Sequence, residues 1–194
     1  MQTALSLTSM RLINNWFVKA SSRAVVQRAF FYGGNMKLKT FYFYTLKDSF
    51  FTDFPDPNLK QNKQQKRPFY ICYQDSKGLF WAIPCTSQFE KYNKMIEKAE
   101  MNHKAADKWH RINLAGKDNI LLIQDIIPIT ENYIQKPFTK NGIHQRIASS
   151  DEQHTIHKKA NKIIALTRYK GRLFPSQANI IDIEISLLKN LTHH

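Results

Sequence analysis

Apolar positions along the chain fall into runs of two kinds, alternating or near-continuous segments of strand length and longer segments with an apolar residue every third or fourth position. "KTFYFYTL", from Lys39 to Leu46, is aromatic and predicts a first strand. "FYICYQDSKGLFWAIP" places two β-prone runs on either side of Asp75-Ser76-Lys77-Gly78 and predicts a hairpin. The segment after Thr86 carries Phe89, Tyr92, Ile96 and Ala99 at helical spacing, and Ser87 stands three positions ahead of Glu90 as a capping box would require. A second hairpin is expected around Ala115 to Asp118, and "NILLIQDIIPI" reads as one buried strand. A Ser150/Gln153 cap opens another helix with Ile156, Ala160, Ile163 and Ile164 on its apolar face. The last apolar segment, "NIIDIEISLL", fits a strand or a helix, with the balance toward helix.

Between the first strand and the hairpin, Pro55 to Pro68 is polar, basic and bounded by prolines, which makes it a long surface loop of the kind that often carries function. The first 35 residues contain no Asp or Glu and are punctuated by Arg11, Lys19, Arg23 and Arg28. Such a composition fits a transit peptide or a reading frame begun upstream of Met36, the latter being favoured because strand-like sequence starts directly after Met36. Residues 1–35 are therefore expected to lie outside the fold, and residues 36–194 to form one domain. No apolar run reaches bilayer-spanning length, so a membrane protein is not expected and a cytoplasmic location is.

Charge changes the picture most. The chain has 29 Lys+Arg against 15 Asp+Glu, a formal net charge of +14, and 12% aromatic residues. That balance favours phosphate-rich partners, and aromatic rings beside cations suit single-stranded nucleic acid. Cys72 and Cys85 lack CxxC spacing and read as small core residues of a reducing compartment. His154 and His157 share a helix side, but no third ligand completes a metal site. Asp53, Asp56, Asp107 and Asp125 are scattered, so no carboxylate cluster for Mg²⁺ is expected and no cofactor is implied. His110, beside Trp109, fits a structural histidine or a general acid.

One feature of the hairpin needs chemistry to explain it. The run "LFWAIP" ends at Pro84 and passes straight into the hydroxyls of Thr86 and Ser87, with Lys91 one helical turn on. Spacing alone favours a strand end and a helix cap; hydroxyls with a cation also suit the holding of an anion.

The segments "FYTLKDSFF", "KRPFY", "FWAIPCTSQFEKY" and "LIQDIIPIT", in this order, resemble the toxins of type III toxin–antitoxin systems, the ToxN/AbiQ group with its CptN and TenpN relatives, from about Thr40 to Thr130. The resemblance implies an α+β fold whose core is a compact antiparallel SH3-like β-barrel of the MazF, Kid and CcdB kind, decorated with helices. It implies a metal-independent, sequence-selective endoribonuclease that leaves 2′,3′-cyclic phosphate and 5′-hydroxyl ends, and phage defence by abortive infection. Its partners would be target mRNA and a repeated pseudoknot antitoxin RNA, which it processes and which inhibits it in a protein–RNA oligomer.

Carried onto this chain, the resemblance makes Thr86 and Ser87 the groups that bind the scissile phosphate, and Lys91 and Arg67 the catalytic cations. Phe50 stands where some relatives have an aromatic hydroxyl, and Tyr44 is the candidate substitute. The candidate RNA contacts are Tyr44, Lys66 and the cations of the basic helix: Lys158, Lys159, Lys162, Arg168, Lys170 and Arg172. Two other function classes fit the same residues, a non-catalytic RNA- or DNA-binding module and a protein-targeting toxin of the same barrel type.

Overall fold

The computed structural model describes residues 37–62, 68–75 and 78–191. The expectation for residues 1–35 lies outside them, as do Lys66 and Arg67.

Aromatic and β-branched side chains that are apolar on both faces need a sheet covered on both sides. Strand β1 (Tyr42–Leu46) pairs antiparallel with β2 (Phe69–Gln74), and β2 with β3 (Phe80–Thr86) in the expected hairpin, whose register runs from Phe69 opposite Cys85 to Gln74 opposite Phe80. Asp75 closes its turn: its carbonyl accepts from Gly78 N–H, while its carboxylate accepts from Leu79 N–H and from the indole N–H of the fully buried Trp81. The second hairpin joins β4 (Trp109–Leu114) to β5 (Lys117–Leu122) through Ala115 and Gly116, both at positive φ, as a two-residue turn matched to strand twist demands.

The run Asn119–Ile129, expected as one strand, is two. β5 ends at Leu122, a 3-10 turn spans Ile123–Asp125, and β6 (Ile127–Ile129) follows. Both lie along β3, β6 opposite Phe80 to Ala82 and β5 opposite Cys85 and Thr86. Pro84, which has no N–H to give a ladder, falls in the gap between the two pairings. The chain has to step at this gap, and the turn at Asp125 is the step.

Strand β7 (Ile134–Pro137) pairs with β1, and a small hairpin of β8 (Thr139–Lys140) and β9 (Ile143–His144) follows. The main sheet therefore runs β4-β5-β3-β2-β1-β7 with β6 also on β3. The α+β class holds, but this is an open path: no pairing between β4 and β7 closes a barrel among the described residues.

Among the described residues there are four α-helices: α1 (Asp48–Asp53), α2 (Phe89–Met101), α3 (Ser150–Lys170) and α4 (Ile180–Leu191), the last confirming the helical reading of that segment. Helix α3 buries Ile156, Ala160, Ile163 and Ile164 as its spacing requires. Its cap is one residue earlier than expected, Ser149 accepting from Glu152 N–H, and Gly171 at φ 77° ends it. No helix among the described residues is long and apolar enough to cross a membrane.

Candidate active site

Strand β3 continues past Pro84 and holds Thr86 opposite Ile120 of β5. The next residues turn into α2. The N-cap of α2 is Gln88, not Ser87, and it makes no side-chain cap bond. The hydroxyl that organises the turn belongs to Thr86, which accepts from Gln88 N–H at 3.2 Å. Ser87 is exposed, and its hydroxyl has no hydrogen-bond partner among the described residues. The capping role expected of Ser87 is thus taken by its neighbour, and its own hydroxyl is left available.

Thr86 and Ser87 line an open cleft of about 740 Å³. Thr45 of β1 and Lys136 of β7 reach it through the β1–β7 pairing, and Lys60, Pro68 and Phe69 come from the polar loop and the start of β2. Gln88 and Tyr92 of α2, with Asn119 of β5, complete its polar lining. Among the described residues that line it are two lysines and no carboxylate, so it attracts anions. Cys85 also lines it, but burial pushes its thiol up to about 12, which leaves no thiolate for nucleophilic work.

Lys91 lies on the first turn of α2, exposed, its ammonium 5.3 Å from the centre of the Tyr92 ring. It therefore flanks a residue of the cleft without lining the cleft itself. Phe50 is fully buried, packed edge-on to Tyr133 and Phe51, and is a core residue.

Tyr44 departs from the surface position expected of it. It is 1% exposed, its ring packs edge-on to His144, its hydroxyl accepts from Lys39 N–H at 2.9 Å, and burial holds that hydroxyl up at about 12. No base can stack on a ring enclosed in this way, and such a phenol gives up its proton reluctantly.

The basic helix does not border the cleft, and many of its cations are committed. Lys159 donates to the carbonyls of Ala106 and Trp109, and burial lowers its pKa. Lys162 binds Asp107; Arg168 binds Glu184 and approaches Asp75 at 3.8 Å; Arg172, beyond the helix end, is 3.9 Å from Asp56. Lys158 and Lys170 are exposed and without partners among the described residues. His157 packs edge-on against Tyr73 and meets Asn161, and the described residues gather no group of three or more metal-ligating side chains. His110 is half-buried beside Glu152.

Sequence reasoning missed Lys60, Lys136, Thr45, Asn119 and Tyr92. Nothing local marks Lys60 or Lys136 among 29 Lys+Arg, because only the tertiary pairing of β7 with β1 brings Lys136 to the cleft.

An antiparallel sheet with one strand shared by two successive partners, edged by helices and bearing a hydroxyl-and-lysine cleft at a strand end, defines the fold class. That fold is similar to the solved structure of AbiQ, described as a lactococcal anti-phage endoribonuclease belonging to the type III toxin–antitoxin system. The match has a TM-score of 0.60 at 13% identity and covers 79% of this chain and 99% of that one. No family profile matches the sequence, and no curated protein matches it.

Proposed function

We propose that this chain is the toxin of a type III toxin–antitoxin system, a metal-independent, sequence-selective endoribonuclease of the ToxN/AbiQ kind. The observation that carries the reading is the cleft: the lysines Lys60 and Lys136, the Thr86 and Ser87 hydroxyls, and no lining carboxylate among the described residues. The fold shared with AbiQ supports it. Residues 36–194 are the toxin domain, and its sheet is read as an opened relative of the SH3-like barrel.

RNA supplies its own nucleophile. The 2′-hydroxyl attacks the adjacent phosphorus, the O2′–P bond forms as the P–O5′ bond breaks, and the products are a 2′,3′-cyclic phosphate and a 5′-hydroxyl. The protein's work is to hold the phosphate, to stabilise charge on the phosphorane and to move one proton from O2′ and one to O5′. In this scheme Thr86 and Ser87 donate to the scissile phosphate and orient the 2′-hydroxyl, and the proton work is assigned to Ser87 and Lys91. Repeated pseudoknot antitoxin RNA, bound through the remaining basic surface in a protein–RNA oligomer, is processed by the same cleft and then blocks it. Abortive infection of phage-infected cells, in the cytoplasm, is the corresponding biology.

The test is induced expression of the full chain in a bacterial host beside Ser87→Ala, with total RNA mapped for new 5′-hydroxyl ends, and cleavage by the purified protein repeated in EDTA. Arrest and new ends from the parent alone, unchanged by EDTA, are expected. Arrest by both proteins without new ends would replace this reading with a protein-targeting or binding-only one.

A further inference from the structure

The two lysines of the cleft are held in different ways. Lys136 is held by its backbone, its carbonyl accepting from the Thr45 hydroxyl, but its ammonium has no partner among the described residues. Lys60 is fixed at both ends: its carbonyl accepts from the hydroxyl of Tyr70, a buried residue of β2, and its ammonium lies 3.4 Å from Oδ2 of Asp125. Asp125 is the turn residue at the step between β5 and β6, with its side chain 5% exposed. Its carboxylate oxygens make no well-aligned hydrogen bond, and Lys60 is its one cation within ion-pair distance among the described residues.

A buried carboxylate without well-aligned hydrogen bonds is costly. Burial raises the Asp125 carboxyl pKa even with the ammonium beside it. What the arrangement achieves is to fix an ammonium in the cleft wall. It does so through an ion pair at 3.4 Å, and because the Lys60 side chain is 44% exposed its ammonium can still meet a ligand. A cation placed before reaction stabilises developing negative charge without reorganising.

Resting on the ribonuclease reading, we infer that Lys60 is a catalytic cation of the cleft, contacting the non-bridging oxygens of the scissile phosphate, and that Asp125 is the positioning residue that aims it. Lys136 then acts as a looser contact to a flanking phosphate.

The experiment uses the purified full chain, in excess, on total bacterial RNA, with 5′-hydroxyl ends counted against time. Binding is measured in parallel on a fluorescent random-sequence deoxyoligonucleotide, which lacks the 2′-hydroxyl and cannot be cleaved. Lys60→Ala is expected to slow cleavage by about 10²-fold. Its binding to the deoxyoligonucleotide should weaken only severalfold, with the salt slope smaller by about 1. Lys60→Arg should recover most of the rate. Asp125→Asn should slow cleavage about tenfold while its melting temperature stays level or rises, and the double variant should be no slower than Lys60→Ala.

A parent that yields ends alongside a Lys60→Ala variant of equal rate overturns the inference and leaves the ribonuclease reading standing. A parent that yields none overturns both. Independent, multiplying losses in the double variant, or a fall in melting temperature that tracks the lost rate in Asp125→Asn, would make Asp125 a structural residue. Should Asp125→Asn not fold, Lys60→Ala and Lys60→Arg, which alter an exposed residue, still decide the role of Lys60.

Discussion

Arg168 and Glu184 clamp α3 to α4: the guanidinium meets both carboxylate oxygens, Nε at 3.0 Å from Oε2 and Nη2 on Oε1, and the Glu184 side chain is only 6% exposed. The same guanidinium lies 5.6 Å from the centre of the buried Trp81 ring and 3.8 Å from Asp75. A cation engaged by two acids and an indole is a poor phosphate ligand, which moves Arg168 from the RNA surface to the framework. Removing it leaves a buried acid short of its main cation, at a cost of about 2–3 kcal/mol after allowance for its partial exposure. Arg168→Met is therefore expected to lower the urea midpoint clearly, and Glu184→Gln in the same chain to restore part of the loss. Equal stability of Arg168→Met and the parent would show the clamp to be idle.

His110 supplies a pH dependence. Burial, together with the charges of Lys159 and Arg111, pushes its pKa down to about 4, and its Nε2 has no hydrogen-bond partner. Glu152 Oε1 is 3.7 Å away, and burial pushes its carboxyl up as well. With the folded value below the unfolded value of 6.5, the unfolded chain binds the proton first. Stability is then full above about pH 6.5 and falls as pH drops toward 4. A melting series from pH 7 to 5, above most carboxylate titration, should show the decline in the parent and a flatter profile in His110→Gln. Identical slopes would remove His110 as the cause.

Local rules were enough for much of the fold. Asp75 and Gly78 mark the first turn and Gly116 suits its positive φ in the second, while Ala115 takes a positive φ that its side chain disfavours; the stripe from Ile156 to Ile164 specifies the buried face of α3. What local rules could not give is the step in Asn119–Ile129, since its cause lies in β3: one edge serves two strands, separated at Pro84. The cap shows the same limit on a smaller scale. Ser87/Glu90 has capping-box spacing, yet Thr86 takes the turn bond because β5 holds it as part of β3. The hydroxyl pair was legible as a candidate anion site; its lysines were not. Thr45 meets Gln135 by a hydrogen bond across 90 residues of sequence, and Lys136 arrives with it.

Thr86 and Ser87 should separate on substitution. Ser87 is exposed and its hydroxyl unpartnered among the described residues, so Ser87→Ala is expected to change stability by less than about 0.5 kcal/mol while abolishing cleavage. The Thr86 hydroxyl organises the turn, so Thr86→Ala should cost about 1 kcal/mol as well as activity, and Thr86→Ser should retain both. Paired denaturation curves and 5′-end counts check this. A Ser87→Ala variant that keeps its cleavage rate would restrict that residue to the turn.

The cations of the basic helix are expected to divide by whether an acid or carbonyl already holds them. Lys158 and Lys170 are exposed and unpartnered among the described residues, whereas Lys162 is paired with Asp107 and Lys159 spends its ammonium on two backbone carbonyls. A free ammonium that meets a phosphate releases condensed counterions; one that must first leave a carboxylate gains less. With a cleavage-inactive Ser87→Ala background and repeat antitoxin RNA as the ligand, Lys158→Ala or Lys170→Ala should each reduce the slope of log K against log salt by about 0.7–0.9. Lys162→Ala should change that slope less, and Lys159→Ala should act mainly through stability. If the paired and unpaired lysines changed the slope equally, the ion pairs would have to open in the complex, and the RNA surface could not be read from the free protein's partners.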